Sequence, residues 1–157
     1  MPSNSILRRH QAQRKAANQR LNSQAWLSLF SAWLVALVAT LSALFIGEVM
    51  GREICNLCWF QRIFMFSLPI ILGIACIRED FGIWRYGLPI ALSGLLASTI
   101  HIIIYWNILP IIMTPCSEYT RCSERSMAIG RIPIPLLSML SFSMITGLLL
   151  LVRNRKR

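Results

Sequence analysis

The chain has 157 residues, of which 55% are hydrophobic and only 14% are charged, and its formal net charge is +10 at pH 7. A mean hydropathy of +0.58 excludes an ordinary soluble domain and places the chain in a membrane. This length leaves no room for a separate soluble catalytic module, so any chemistry must use the membrane segments and their loops.

The first 24 residues are polar, basic and free of acidic side chains. The apolar run behind them is too long for a cleavable signal, whose apolar core has about 7 to 15 residues, so we predict a retained signal anchor. A transit peptide of an organelle has a similar composition and is the alternative. We interpret residues 1–24 as a disordered basic cytoplasmic tail near anionic lipid, and residues 153–157 as a second basic cytoplasmic segment.

Four apolar stretches are candidates to cross a bilayer, whose hydrocarbon core takes roughly 20 helical residues. Three have full length: Ala25 to Gly47, Tyr86 to Trp106 and Ile132 to Val152. The charge-free part of the remaining one, Ile63 to Ile77, reaches only about 22 Å as a helix. We therefore predict that this second span begins near Trp59, and that residues 25–152 form an all-α bundle of four transmembrane helices.

Starting the second span near Trp59 draws Gln61 and Arg62 to the lipid boundary and leaves Cys55 and Cys58 at or just outside it. Trp59 and its neighbour Phe60 are then suited to anchor the helix at the membrane interface. In the third span, Gly94 and Ser98 form a small-x-x-x-small pair, which is typical of close helix packing.

Lys and Arg are concentrated in the N-terminal segment, in the C-terminal RNRKR and in the short link between the second and third spans. The positive-inside rule therefore predicts that both termini are cytoplasmic. The two other loops, residues 48–58 and 107–131, then face outward. We expect a multi-pass membrane protein that contacts lipid and has no nucleic-acid partner.

Four of the five cysteines lie in the two outward loops, two in each: Cys55, Cys58, Cys116 and Cys122. Disulfides form and persist in an oxidising compartment outside the cytosol. Three interpretations are open, namely two structural disulfides, a zinc site with four thiolates, and a pair of redox-active dithiols. The fifth cysteine, Cys76, near the cytoplasmic end of the second span, is interpreted as a small buried hydrophobic residue.

The position of Cys58 favours the redox interpretation for the first pair. A thiol at a helix N-terminus faces unpaired backbone N–H groups and the positive end of the helix dipole, which favour the thiolate. Arg62 is one helical turn deeper on the same face, where its charge acts in the same direction. The alternative for Arg62 is that it extends to lipid headgroups.

Three features closely resemble the DsbB family, in particular its short BdbC-like branch. They are the string EVMGREICNLCWFQR between the first two spans, the second cysteine pair before the last span, and the string GRIPIPLLSMLSF at the start of that span. The resemblance covers about residues 25–152 and implies a location in the bacterial inner membrane. It implies a membrane thiol:quinone oxidoreductase that reoxidises a DsbA-like, thioredoxin-fold dithiol oxidase and passes electrons to a membrane quinone, ubiquinone or menaquinone. A vitamin K epoxide reductase-like enzyme and a non-catalytic membrane subunit with two disulfides are the alternatives.

Site residues follow from the motif positions that match the family. Cys55 and Cys58 match the pair nearest the quinone, with Cys58 closest to its ring, and Arg62 matches the arginine associated with the quinone headgroup. Cys116 and Cys122 match the pair that meets the partner, with Cys116 forming the mixed disulfide. His101 falls where some relatives have a histidine near the quinone, and a satisfied polar residue inside the bundle is the alternative. The resemblance implies no metal.

Overall fold

The computed structural model describes residues 3–49, 56–106, 128–129 and 132–156. The first two helices are α1 (Ser3–Leu44), which a π-helical turn (Phe45–Val49) extends, and α2 (Asn56–Arg78). They are followed by a 3-10 turn (Phe81–Ile83) and by α3 (Trp84–Tyr105). Two antiparallel two-residue strands, β1 (Ala128–Ile129) and β2 (Ile132–Pro133), lead into α4 (Ile134–Lys156).

The four helices form an antiparallel bundle in which each helix packs against two neighbours, in the circular order α1, α2, α3, α4. All four are long and apolar enough to cross a membrane. The predicted four-helix transmembrane fold is confirmed, and the side of the membrane on which the termini lie stays a prediction. Because successive helices run in opposite directions, one end of the bundle contains the end of α1, the start of α2, the end of α3 and the start of α4.

The main core cluster contains large apolar side chains from α1, α2 and α4 and the smaller Ala91 from α3, which also buries Ile102 and Ile104. Fully buried members are Leu29, Leu68, Leu72, Phe142 and Leu149. The outer surface is also apolar and carries exposed Leu, Ile, Val and Phe side chains along every helix. Such a surface is stable in hydrocarbon, where only the backbone polar groups need internal partners.

Close packing of α3 against α4 occurs where the sequence predicts it. Gly94 lies against the fully buried ring of Phe142, and a Cβ atom at Gly94 would overlap that ring. Ala91 and Ser98, on the same face of α3, are also fully buried. The small-x-x-x-small prediction is therefore confirmed, because a larger residue at position 94 would separate the two helices.

One prediction about the N-terminus is wrong. Residues 3–24 are not disordered but form the first half of α1, which continues without a break into the first span. This segment is rich in Ala, Gln and Arg, which have high helix propensity, and from Ser3 onward it contains no Gly or Pro. Because the membrane span has already nucleated the helix, each further residue is added without the nucleation cost.

The opposite end of the bundle, where α2 joins α3, is exposed and basic. The chain turns at Glu79, whose φ of 52° is in the left-handed region, and Asp80 Oδ1 accepts a hydrogen bond from the Gly82 N–H at 2.8 Å. Arg85 and Arg153 both lie over the ring of Trp84, at 5.7 and 5.0 Å from its centroid. At this end Arg85 is exposed and Arg153 is half-buried.

Candidate functional site

Cys58 lies in the first turn of α2, because this helix begins at Asn56. In a first turn the backbone N–H groups have no intrahelical acceptor and the helix dipole is positive. The side chain of Cys58 is half-buried, and the apolar segment of α2 also begins at this residue. The sulfur therefore lies where the predicted span enters the membrane, in agreement with a start near Trp59.

The other predicted cysteines of the site, Cys55, Cys116 and Cys122, lie outside the described residues, so their placement stays a prediction. Cys76 is half-buried and packs against the apolar core at the far end of α2, as a small hydrophobic residue would. Among the described residues, no group of three or more His, Cys, Asp or Glu could hold a metal ion.

His101, near the end of α3, contacts Cys58. Nδ1 of its imidazole is 4.0 Å from Cys58 Sγ, a distance at the outer limit of a hydrogen bond to sulfur. The imidazole is completely buried. The structure therefore brings together two of the predicted site residues that are 43 positions apart in the sequence.

A buried polar network surrounds the imidazole and joins three helices. The amide nitrogen of Gln61 lies 3.3 Å from His101 Nδ1, and its amide oxygen lies 3.4 Å from the hydroxyl oxygen of Ser138. The same hydroxyl is 3.3 Å from Ser98 Oγ, and Ser98 donates to the Gly94 carbonyl at 2.8 Å. A buried polar group without a partner costs about 1–3 kcal/mol, so these contacts stabilise one another.

The roles of Gln61 and Ser138 in this network were not predicted from the sequence. The available signal was that each is a polar residue near the start of an otherwise apolar helix, and such residues face the interior of a membrane bundle. Gln61 was placed at the lipid boundary, but its side chain is only 6% exposed. It points into the bundle because the acceptor and donor groups that satisfy it are there.

Arg62 is also drawn into the protein, with only 9% of its surface exposed. Its Nη2 donates a hydrogen bond of 2.7 Å to the Ala43 carbonyl at the end of α1, and its guanidinium lies 5.6 Å from the centre of the Trp59 ring. This placement differs from that of an arginine that extends to lipid headgroups. The cation is held between α1 and α2, one turn deeper than Cys58.

The π-helical turn at the end of α1 makes room for this cation. A Cβ atom at Gly47 would overlap the Arg62 guanidinium, so a larger residue there would displace the guanidinium from its position. A π-helical turn is rare and is often found at functional sites. Gly47 is thus a further residue of the site that the sequence analysis missed, because its need for space depends on a residue in the next helix.

A groove of about 400 Å³ opens beside the site between α1 and α4. It is lined mainly by apolar side chains, and Leu34, Val38 and Leu137 on its walls are exposed on the outer face of the bundle. Its lining also includes Ala43, whose carbonyl binds Arg62, and Ser138 of the polar network. The groove therefore borders Ala43 and Ser138, which contact the buried cation and the network, and it opens to the lipid-facing surface.

One known protein family matches most of the chain. The family model described as disulfide bond formation protein DsbB matches residues 23–152, which include every described element of the site. The chain belongs to the DsbB family. It is thus a multi-pass membrane oxidoreductase that acts in disulfide bond formation, and the resemblance seen in the sequence is confirmed.

Curated relatives of this DsbB-family chain have consistent descriptions. A probable disulfide formation protein of Metapseudomonas resinovorans is 45% identical over 140 residues, which cover 88% of the chain and 97% of that protein. One of Deinococcus radiodurans is 38% identical over 136 residues, 81% of the chain and 89% of the relative. The probable disulfide formation protein C 1 of Bacillus anthracis is 46% identical over 77 residues, 49% of the chain and 55% of the relative. No solved structure matches the chain.

Proposed function

We propose that this chain oxidises the dithiol of a DsbA-like, thioredoxin-fold oxidase and passes the two electrons to a membrane quinone. The observation that carries the proposal is the contact of Cys58 with His101 beside the buried Arg62, at the edge of an apolar groove that opens to lipid. Membership of the DsbB family supports the same activity.

The residues of this end of the bundle fit a quinone. A guanidinium has five N–H groups, of which the bond to Ala43 uses one, so Arg62 retains donors for a quinone oxygen. The groove between α1 and α4 has the volume of a small-ligand site and an apolar lining, which suits the prenyl tail. When bound, the quinone supplies an acceptor for two electrons and two protons.

The proposed route uses two thiol–disulfide exchanges, each through a mixed disulfide. A thiolate of the partner attacks the Cys116–Cys122 disulfide at Cys116, and Cys122 leaves, so that the partner becomes oxidised and this pair reduced. The reduced pair then attacks the Cys55–Cys58 disulfide and is oxidised again. The Cys55–Cys58 pair, now reduced, closes to a disulfide again and would give its two electrons and two protons to a bound quinone. The first turn of α2 and Arg62 stabilise the Cys58 thiolate for this step.

This proposal places the protein in the bacterial inner membrane with both termini in the cytoplasm. The two cysteine pairs then share the outer side of the membrane, where the partner is found. Labelling of the reduced cysteines by a membrane-impermeant maleimide, in whole cells and in inverted vesicles, tests this arrangement. Labelling of either pair from the cytoplasmic side would contradict it.

The activity is tested with the purified protein in lipid nanodiscs, a reduced thioredoxin-fold oxidase and a short-chain ubiquinone or menaquinone. We expect one quinone reduced for each pair of thiols oxidised. Cys58→Ala should abolish quinone reduction, because the electrons then have no donor beside the quinone. Cys76→Ala, a cysteine variant in the same helix, should retain the rate, and equal loss in both variants would contradict the assignment.

The partner is tested by trapping. In the Cys122→Ala variant the free Cys116 thiolate attacks the disulfide of an oxidised thioredoxin-fold protein, and one cysteine of that protein leaves as a thiolate. Acid quenching should then trap the mixed disulfide as a covalent complex. The Cys116→Ala, Cys122→Ala double variant is the control and should form no complex. A complex that forms equally with the double variant would exclude Cys116 as the site of exchange.

A further inference from the structure

Two groups converge on one nitrogen of His101. Its Nδ1 is 4.0 Å from Cys58 Sγ and 3.3 Å from Gln61 Nε2. A neutral imidazole has one N–H group and one acceptor nitrogen, and an amide nitrogen can only donate. The nitrogen that faces the amide donor must therefore be the acceptor, so the arrangement favours the tautomer in which Nδ1 is unprotonated and faces Cys58.

Ser138 supports this orientation of the Gln61 amide. Its single hydroxyl proton can be donated to Gln61 Oε1, 3.4 Å away, or to the Pro135 carbonyl, 2.9 Å away, and donation to Oε1 keeps Nε2 directed at the imidazole. Gln61 and His101 are both buried, so water does not provide alternative partners for the amide. The state of His101 thus depends on a chain of contacts that begins on α4.

We propose that Gln61 is a positioning residue that makes His101 the proton acceptor for the Cys58 thiol. This inference rests on the proposed function. The S–H bond of Cys58 breaks, its proton moves to His101 Nδ1, and the electron pair stays on the sulfur. As the Cys55–Cys58 disulfide forms, the dithiol loses two electrons and two protons, one proton through His101 and one from the Cys55 thiol. The quinone is the oxidant of this step, and the same two electrons and two protons convert it into a quinol.

The network can satisfy His101 in both protonation states. After Nδ1 has taken the proton it must donate, and the Gln61 amide turns over so that Oε1 accepts. Gln61 Nε2 then donates to Ser138 Oγ, and the Ser138 hydroxyl donates to the Pro135 carbonyl, which is 2.9 Å away. Glutamate, which only accepts, and leucine, which does neither, cannot serve both states.

The tautomer is measured directly by ¹⁵N NMR of the full chain in nanodiscs. His101 is one of two histidines, so His10→Gln leaves a single labelled imidazole. We expect Nδ1 to be unprotonated in the oxidised protein and protonated in Gln61→Glu, since a carboxylate can only accept. Ser67→Ala removes a hydroxyl that bonds the Phe64 carbonyl outside the network, and it should leave the spectrum unchanged. A protonated Nδ1 in the parent protein, or an unprotonated one in Gln61→Glu, would overturn the proposal.

Quinone reduction gives the second measurement. A positioned general base contributes about 10²–10⁴-fold, so we expect Gln61→Leu to lower kcat about tenfold or more, with KM for quinone changed less than about twofold. In a His101→Leu background the same substitution should have no further effect, because its target is gone. If Gln61→Leu retains the parent kcat, the relay is wrong while the quinone activity stands. If the parent protein reduces no quinone, the proposed function fails, and the tautomer measurement still decides the role of Gln61.

Discussion

Both ends of the bundle place arginine beside tryptophan, but the burial of the arginine differs between them. Where α2 joins α3, Arg85 and Arg153 lie over Trp84, and Arg85 is exposed. At the end that contains Cys58, Arg62 lies beside Trp59 but is buried and bonded to the Ala43 carbonyl.

The difference follows from the cost of desolvating a charge. A surface cation keeps its water and contributes little to stability, whereas a buried one costs several kcal/mol unless the protein supplies partners. The Cys58 end supplies a carbonyl, an aromatic ring and a glycine that leaves space. These partners hold the charge of Arg62 inside the membrane protein, whereas the charge of Arg85 stays in contact with solvent. Substitutions at the two ends should therefore have unequal effects.

The largest effect is expected from Arg62→Met, which removes the cation and keeps the apolar stem. Hydrogen bonds to charged groups contribute about 1.5–3 kcal/mol, so the rate of quinone reduction should fall about 10- to 150-fold. Arg78→Met, at the exposed end of the same helix, is the control and should keep the parent rate. Equal losses in the two variants would show that the two ends do not differ in function.

The next effect is expected from Gly47→Ala, because the added methyl group overlaps the Arg62 guanidinium. Overpacking of this kind costs about 1–3 kcal/mol, so the thermal midpoint should fall and quinone reduction should slow about tenfold. Gly147→Ala is the matched control, since nothing lies within 4 Å of a Cβ atom at that position. It should unfold at the same or a slightly higher temperature, and a parent-like Gly47→Ala would mean that Arg62 does not need this space.

A smaller effect is expected from Ser138→Ala, which removes the hydroxyl that orients the Gln61 amide. One neutral hydrogen bond contributes about 1 kcal/mol, so quinone reduction should slow about three- to fivefold. Ser67→Ala, which loses a comparable hydroxyl at 2.9 Å from the carbonyl three residues earlier, should not change the rate. A larger loss in Ser67→Ala than in Ser138→Ala would contradict the network.

The smallest effect is expected from Trp84→Leu at the basic end. Exposed cation–π contacts contribute about 0.5–1 kcal/mol, so thermal unfolding should shift slightly and quinone reduction should stay at the parent rate. A fall in rate comparable with that of Arg62→Met would remove the distinction between the ends.

Sequence patterns were sufficient for the spans and for part of the site. The four spans follow from hydropathy alone, since a bilayer sets the length of each apolar run. Cys58 at the start of a helix and Arg62 one turn deeper follow from local spacing within α2. The N-terminal helix was missed, because composition favoured disorder while the span that follows it supplied the helix nucleus.

Contacts between helices required the tertiary structure. Gln61 and Ser138 are 77 positions apart, and Cys58 and His101 are 43 apart, so their meeting depends on how each helix is rotated about its axis. Hydropathy says little about that rotation in a membrane, because both faces of such a helix are apolar. Close packing at Gly47 and Gly94 and the need to satisfy buried polar groups decide it instead.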